Sequence, residues 1–218
     1  MKDKEREKYA NVMNEIKRRT KVVHSFMAGE RNAMYSAVNI ELICLQIRKI
    51  LELVALGSLV ANQRIFLKKV NNLQKMWNAK YILSDIEKIN PDFYPKPIDE
   101  QPSKLDGVKN DLINVEEGYL TKNDFIFVYD KCGKILHAEN PLGNGTDYKY
   151  YEKHVPIWMQ KIKKLLNTHK ITLLNDKNMY LVHMQENGKE GATVYVFEPT
   201  GKAPNKSEEP NQKPAGAF

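Results

Sequence analysis

The sequence contains very little cysteine and none of the patterns that hold metals or nucleotides. Its two cysteines, Cys44 and Cys132, stand among apolar neighbours in 218 residues, which predicts reduced, buried thiols and excludes a disulfide framework. The five histidines form no His-x3-His pair and the cysteines no Cys-x2-Cys pair, so we expect no metal site and no cofactor. The glycine-rich run at 142–147 lacks the Gly-Lys-Ser/Thr ending of a phosphate-binding loop.

The chain also lacks a long uninterrupted apolar run. Its first eight residues include no apolar stretch typical of a secretory signal. The most apolar segment, 40–61, is interrupted by charged side chains that a membrane span tolerates poorly, among them Glu41, Arg48 and Glu52. We therefore expect a soluble, cytoplasmic protein without a membrane partner.

A modest excess of positive charge is present. Lys and Arg total 34 against 27 Asp and Glu, giving a net charge of +7 and an isoelectric point near 9.2. This balance favours an anionic partner such as RNA, although lysine is also common on solvated faces.

Apolar residues recur at helical spacing through most of the chain. This periodicity predicts helices over about 4–27, 30–61, 64–77, 79–89, 121–139 and 150–167. Gly57 and Ser58 suggest a bend in the second helix. Thr121 and Asp124 match a capping box, and Gly133 inside that helix predicts close approach by another element.

The remaining segments predict a smaller β region. Four prolines in 90–118 favour a loop, with a short strand at about 111–115, while 171–174, 179–185 and 192–198 read as strands with a turn at Asn187-Gly188. The fold class is therefore α+β, predominantly α, with five to six helices and a three-stranded antiparallel meander. We expect a helical bundle at 1–141, a helix with the sheet at 142–199, and a disordered tail at 200–218.

The predicted strands are apolar on both faces, whereas a free three-stranded sheet is usually polar on one face. One face is expected to take the 150–167 helix. The other face needs a cover, which predicts packing on the bundle or a homodimer formed through the bundle or the meander.

A polar stripe on the second helix is the first candidate site. Glu41, Arg48 and Glu52 are spaced so that their side chains project within a narrow arc. One interpretation is a polar pocket in which Arg48 binds a phosphate or carboxylate. The alternative is an internal ion-pair network or a stripe facing solvent.

The C-terminal end of the 121–139 helix is the second candidate. His137 lies there with Asp130 seven residues earlier and Lys131 nearby, a set that suits a general base or an anion site. The alternative is a histidine that caps helix carbonyls.

Basic surface is the third candidate. Lysines on the first helix and on the 150–167 helix, including Lys153, Lys161 and Lys164, lie near Tyr148, Tyr150 and Tyr151. Basic and aromatic side chains together suit single-stranded nucleic acid. The alternative is a solvated lysine face with tyrosines that belong to the core.

The run Arg-Lys-Ile-Leu-Glu at 48–52 on a core helix, followed by a helix ending in Leu-His-Ala at 136–138, resembles HEPN proteins. These are helical bundles with an Arg, four to six variable residues and a His, and many are metal-independent ribonucleases of toxin–antitoxin and antiviral systems. The resemblance implies His137 as base with Arg48 or Lys131 steadying the phosphate. At the family's spacing this chain has Lys131 where the family has Arg. The segments 89–95 and 136–141 also resemble bacterial proteins.

Two functions follow from these patterns. The first is a non-catalytic binding protein that engages RNA or a protein partner, and the second is a HEPN-like endoribonuclease. We favour the binding protein, because the sequence contains no complete catalytic constellation.

Overall fold

A computed structural model describes residues 1–66, 78–186, 188 and 190–199. The described elements, in chain order, are α1 (Asp3–Met27), α2 (Ser36–Phe66), α3 (Ala79–Ile89), β1 (Lys96–Pro102), β2 (Asn110–Asn114), α4 (Lys122–Lys134), α5 (Tyr148–Leu166), β3 (Thr168–Ile171), β4 (Met179–His183) and β5 (Thr193–Phe197). The fold class is α+β, as predicted. Among the helices within these ranges, none is long and apolar enough to cross a membrane.

Helix α2 is the centre of the helical layer and packs against α1, α3, α4 and α5. It begins at Ser36 instead of residue 30, because the chain before it forms a turn in which Met34 has a φ of 66° and donates to the Asn32 side chain. It continues unbroken through Gly57, where an added Cβ would lie 3.1 Å from Met13 Cε. Gly57 therefore allows close packing of α1 instead of a bend.

The sheet has five antiparallel strands in the order β2-β1-β3-β4-β5, so the prediction of three strands was incomplete. The predicted hairpin is confirmed by the β4–β5 register, in which Met179 pairs with Phe197 and His183 with Thr193. The first strand of the predicted meander begins at Thr168 instead of residue 171. It follows almost directly on the end of α5.

The assignment of 90–118 to a loop was wrong, since β1 and β2 lie within it. Proline does not prevent strand formation here. Pro97 precedes the β1–β2 ladder and its carbonyl accepts a hydrogen bond from the Val115 N–H, while Pro102 ends the strand. The predicted strand at 111–115 overlaps β2. Phe93 and Tyr94 are buried in the main hydrophobic core, so the segment before β1 is anchored there.

One hydrophobic core joins the helices to one face of the sheet. It includes Met13 of α1, Trp158 of α5 and Val182 of β4. The sheet contains strands that precede residue 141 in the sequence and strands that follow it. The division into domains at residue 141 stays a prediction. The predicted helix at 64–77 lies largely outside the described residues, and so does the tail from residue 200.

Helix α4 begins with the predicted capping box. The Thr121 hydroxyl accepts a hydrogen bond from the Asp124 backbone N–H at 3.1 Å, and the Asp124 carboxylate accepts one from the Thr121 N–H at 3.2 Å. The helix ends at Lys134 instead of residue 139, and a turn follows in which the Leu136 N–H donates to the Gly133 carbonyl. The first residue of α4 was predictable from the capping side chains, whereas its last residue was not predicted correctly.

Replacing Thr121 with alanine is expected to lower the free energy of unfolding by about 1 kcal/mol, because one orphan N–H of α4 loses its acceptor. Thr121→Ser keeps the hydroxyl and should lie within a few tenths of a kcal/mol of wild type. Urea denaturation of the three proteins measures the difference. Equal losses for serine and alanine would show that the methyl group matters and the cap does not.

Candidate functional site

The side chains of the α2 polar stripe are held by neighbouring helices. The Arg48 guanidinium lies 3.8 Å from the centre of the Tyr129 ring and donates to the Tyr129 carbonyl at 3.2 Å and hydroxyl at 2.7 Å. Its Nε lies 3.4 Å from Glu52 Oε1. Glu41 accepts a hydrogen bond from the Tyr148 hydroxyl at 3.0 Å. The stripe thus joins α2 to α4 and α5 through partners on the protein itself.

Another element was predicted to approach α4 closely at Gly133. The group that approaches Gly133 is a side chain. A Cβ at this position would overlap Nη1 of Arg48. Burial raises the pKa of the Tyr129 hydroxyl, against the opposing effect of the Arg48 charge. The guanidinium therefore occupies a fitted niche against α4.

The two cysteines also lie at the α2–α4 contact. Cys44 and Cys132 are free and buried. The neighbouring Cys44 thiol and burial both raise the pKa of Cys132 well above its ordinary value. The thiol form is favoured, and a thiolate nucleophile is not.

His137 lies three residues beyond the end of α4 and is exposed. Asp130 was expected to lie in the same helix as His137. It does not, because α4 ends at Lys134. Asp130 instead pairs with Lys80 Nζ at 2.9 Å. Arg48 is engaged with Tyr129. The structure describes no contact that joins His137 to Arg48 or to Lys131.

Lys131 lies in a different environment, beside two aromatic rings. Its ammonium nitrogen is 4.9 Å from the centre of the Tyr150 ring and 5.5 Å from that of Phe127. Phe127 is 48% exposed. Tyr150 stacks on His154 with ring centres 3.9 Å apart. One lysine ammonium thus lies near an aromatic ring of α4 and one of α5.

A cavity of about 250 Å³ opens at this place. It is lined by both lysines of the α4 C-terminus, Lys131 and Lys134, by the segment before α5, including Thr146, and by Tyr150 of α5. We call the set Phe127, Lys131, Lys134, Tyr150 and His154 the basic-aromatic surface.

The nearby carboxylates are already engaged. Asp147 accepts a hydrogen bond from the Tyr150 N–H at 3.1 Å, Glu139 accepts one from the Thr146 N–H at 2.9 Å, and Asp130 is paired with Lys80. Within the described ranges, neither Lys131 nor Lys134 forms an ion pair. A hydrogen bond from a backbone N–H does not neutralise Asp147, which also lines the cavity, so these two lysines face the cavity beside one carboxylate.

The other predicted binding lysines are dispersed along α5. Lys153 is exposed one residue before His154. Lys161 Nζ lies 3.0 Å from Asp124 Oδ1 and fastens α5 to the start of α4. Lys164 lies over Gly118 and lines a broad depression beside β1 and β2.

Sequence reasoning found Lys131 and Tyr150 but missed Phe127 and His154. Both show a weak signal, since Phe127 precedes Lys131 by four residues and His154 follows Tyr150 by four, the spacing of neighbours on a helix surface. In the part of the chain that the structure describes, no three His, Cys, Asp or Glu side chains are grouped so that they could hold a metal. Comparison with protein-family models, curated proteins and solved structures gave no match.

Proposed function

We propose that this protein binds single-stranded RNA through the basic-aromatic surface. The observation that carries the proposal is the position of the Lys131 ammonium between the rings of Phe127 and Tyr150, beside Lys134 and next to an open cavity. Lys131 and Lys134 would neutralise phosphates, and the exposed Phe127 ring offers a stacking platform for a base. A base stacked on an aromatic side chain contributes about 1–3 kcal/mol in such complexes.

The surface suits a single strand better than a duplex. An exposed ring on a convex helix is accessible to unstacked bases, whereas bases inside a duplex present only their edges. Phosphate contacts and base stacking carry little sequence information. We therefore expect recognition of RNA with little sequence preference and with strong dependence on salt.

Fluorescence anisotropy with a labelled oligouridine of about ten nucleotides tests the proposal. Phe127→Leu is expected to weaken binding about tenfold, because leucine keeps the apolar contact and loses the stacking face. Lys131→Gln should weaken binding several-fold and reduce the slope of log affinity against log salt by about one.

Matched controls are available far from this surface. Phe197→Leu alters an aromatic residue of similar exposure on β5, and Lys109→Gln removes an exposed lysine between β1 and β2. Both should bind as wild type does. Equal weakening by Phe197→Leu and Phe127→Leu would reject the proposed location, and a salt-independent signal would reject phosphate recognition.

A metal-independent endoribonuclease is the alternative proposal, with His137 as base and Arg48 or Lys131 steadying the phosphate. It is supported by the exposure of His137, which lies three residues after Lys134 of the basic-aromatic surface. Incubation with structured RNA in EDTA compares wild type with His137→Ala. Cleavage by wild type alone supports the enzyme, cleavage by neither protein ends this alternative, and cleavage by both indicates a contaminant. A homodimer, formed through the helices or the sheet, stays a separate prediction.

A further inference from the structure

A second cavity lies between α1 and the C-terminal half of α5, and its volume is about 220 Å³. Five apolar side chains from two helices and the residue after β4 form its floor: Ile16, Met159, Ile162, Leu166 and Met184. All five are buried and belong to the main hydrophobic core. The floor has no polar side chain, and two of its members are methionines, which adapt their shape to a ligand.

The rim of the same groove is basic. Lys17, Lys21 and His24 line it from α1, and Lys163 lines it from α5, with no acidic residue among the lining side chains. Lys17 Nζ donates to Gln185 Oε1 at 2.7 Å and to the Glu190 carbonyl at 3.1 Å, both uncharged acceptors. Neither Lys21 nor Lys163 has an ion pair within the described ranges. Three lysines therefore surround an apolar slot whose described lining includes no carboxylate, while Glu190 lines the neighbouring cavity with Lys17 and Lys21.

We propose that this groove binds a straight-chain alkyl carboxylate, a fatty acid of medium length, with the chain on the floor and the carboxylate against Lys21 and Lys163. The charge of the rim selects an anion, and the apolar floor selects an alkyl chain over a sugar, a phosphate or a nucleobase, each of which needs polar partners when buried. An apolar cavity of about 150 Å³ accommodates benzene. The groove is larger, and several methylenes fit within it.

This site is distinct from the basic-aromatic surface. The two share no residue, and Tyr150 and Lys163 are thirteen positions apart on α5, which corresponds to about 20 Å along the helix axis. The inference therefore does not rest on the proposed RNA binding, and each fails independently of the other.

Isothermal titration of the full chain with octanoate and decanoate, both below their micelle concentrations, tests the inference. Each added methylene should tighten binding about fourfold until the floor is filled, because burying one methylene contributes about 0.8 kcal/mol. Decanol, which lacks the charge, should bind about tenfold more weakly than decanoate. Decylammonium should bind less well than decanol, since the rim repels it.

The double variant Lys21→Gln, Lys163→Gln should weaken decanoate binding about tenfold and leave decanol binding unchanged. Lys109→Gln is the control with one exposed lysine removed elsewhere. Independent of any variant, the methyl resonances of Met159 and Met184 in wild-type protein should shift on addition of decanoate.

Three results would overturn the inference. They are absence of saturable decanoate binding, equal affinity for decylammonium and decanoate, and methionine methyl resonances that respond to oligouridine but not to decanoate. The last result would identify the groove as part of the RNA path instead of a fatty-acid site.

Discussion

Lowering the pH from about 7 to about 4 is expected to remove about 3 kcal/mol of stability through one residue, His169. This side chain is fully buried at the contact of α1, α5 and β3. Its Nδ1 lies 2.8 Å from the Leu166 carbonyl, and its Nε2 lies 2.8 Å from the Tyr9 hydroxyl. Since a carbonyl only accepts, Nδ1 carries the proton, and Nε2 accepts from Tyr9.

The direction of the effect follows from the pKa of the imidazole. Burial lowers the pKa of His169 from its ordinary value of 6.5 to about 4, although the Leu166 hydrogen bond acts in the opposite sense. Below pH 6.5 the unfolded chain binds a proton at this residue and the folded chain does not. Stability is therefore fully present above pH 6.5 and is lost as the pH falls toward 4, with a slope of up to about 1.4 kcal/mol per pH unit.

Urea denaturation of wild type and His169→Gln across this range isolates the residue, because all other titrating groups are common to both proteins. The variant is expected to be less stable at neutral pH. Its free energy of unfolding should fall less steeply on acidification, because its unfolding takes up about one proton fewer. If the variant does not fold, the ring resonances of His169 in wild type answer the same question. A ring that titrates near pH 6.5 in the folded protein would contradict the account.

Replacing Gly133 with alanine is expected to destabilise the protein by about 1–2 kcal/mol, although alanine is the better helix former by about 1 kcal/mol. The added methyl displaces the Arg48 guanidinium from the niche on α4. The hydrogen bonds to Tyr129 are then lost together with the contact to its ring, and bonds from a charged donor contribute about 1.5–3 kcal/mol. The loss exceeds the gain in helix propensity.

A double-mutant cycle separates the two contributions. Without the guanidinium, in an Arg48→Met background, Gly133→Ala should stabilise the protein by about 0.5–1 kcal/mol, so the sign of the substitution reverses. Urea denaturation of the four proteins completes the cycle. The same destabilisation in both backgrounds would place the clash elsewhere, and stabilisation by alanine in wild type would show that Arg48 moves aside without cost.

Helices were predictable here where their signal is local. The starts of α3 and α4 follow from side-chain caps, and the buried stripe of α5, which includes Val155 and Ile162, follows from periodicity. Strand β1 was missed because proline was taken to exclude regular structure. Pro97 is tolerated because it precedes the β1–β2 ladder, which runs from Ile98 to Pro102, so no ladder hydrogen bond needs its missing N–H.

Contacts between distant parts of the chain were not predictable. Tyr9 and His169 are 160 residues apart in the sequence, and neither lies in a motif that indicates the other. The candidate site was predictable in part, since Lys131 and Tyr150 were singled out from the sequence. The sequence did not indicate that α4 and α5 bring Phe127 and Lys131 together with Tyr150. Gly133 in the helix predicted a close contact at the place where Arg48 packs. The approaching group is a side chain and not a helix backbone.

Nuclear magnetic resonance titration of the ¹⁵N-labelled full chain with unlabelled oligouridine tests the proposed RNA surface most directly. The account predicts that amide resonances shift in α4 from Phe127 to Lys134 and in the first two turns of α5, and that the shifts diminish as salt rises. Resonances of the α1–α5 groove around Lys21, and those of β5, should stay in place. Absence of shifts at α4, or shifts centred on α1 or the sheet instead, would contradict the account.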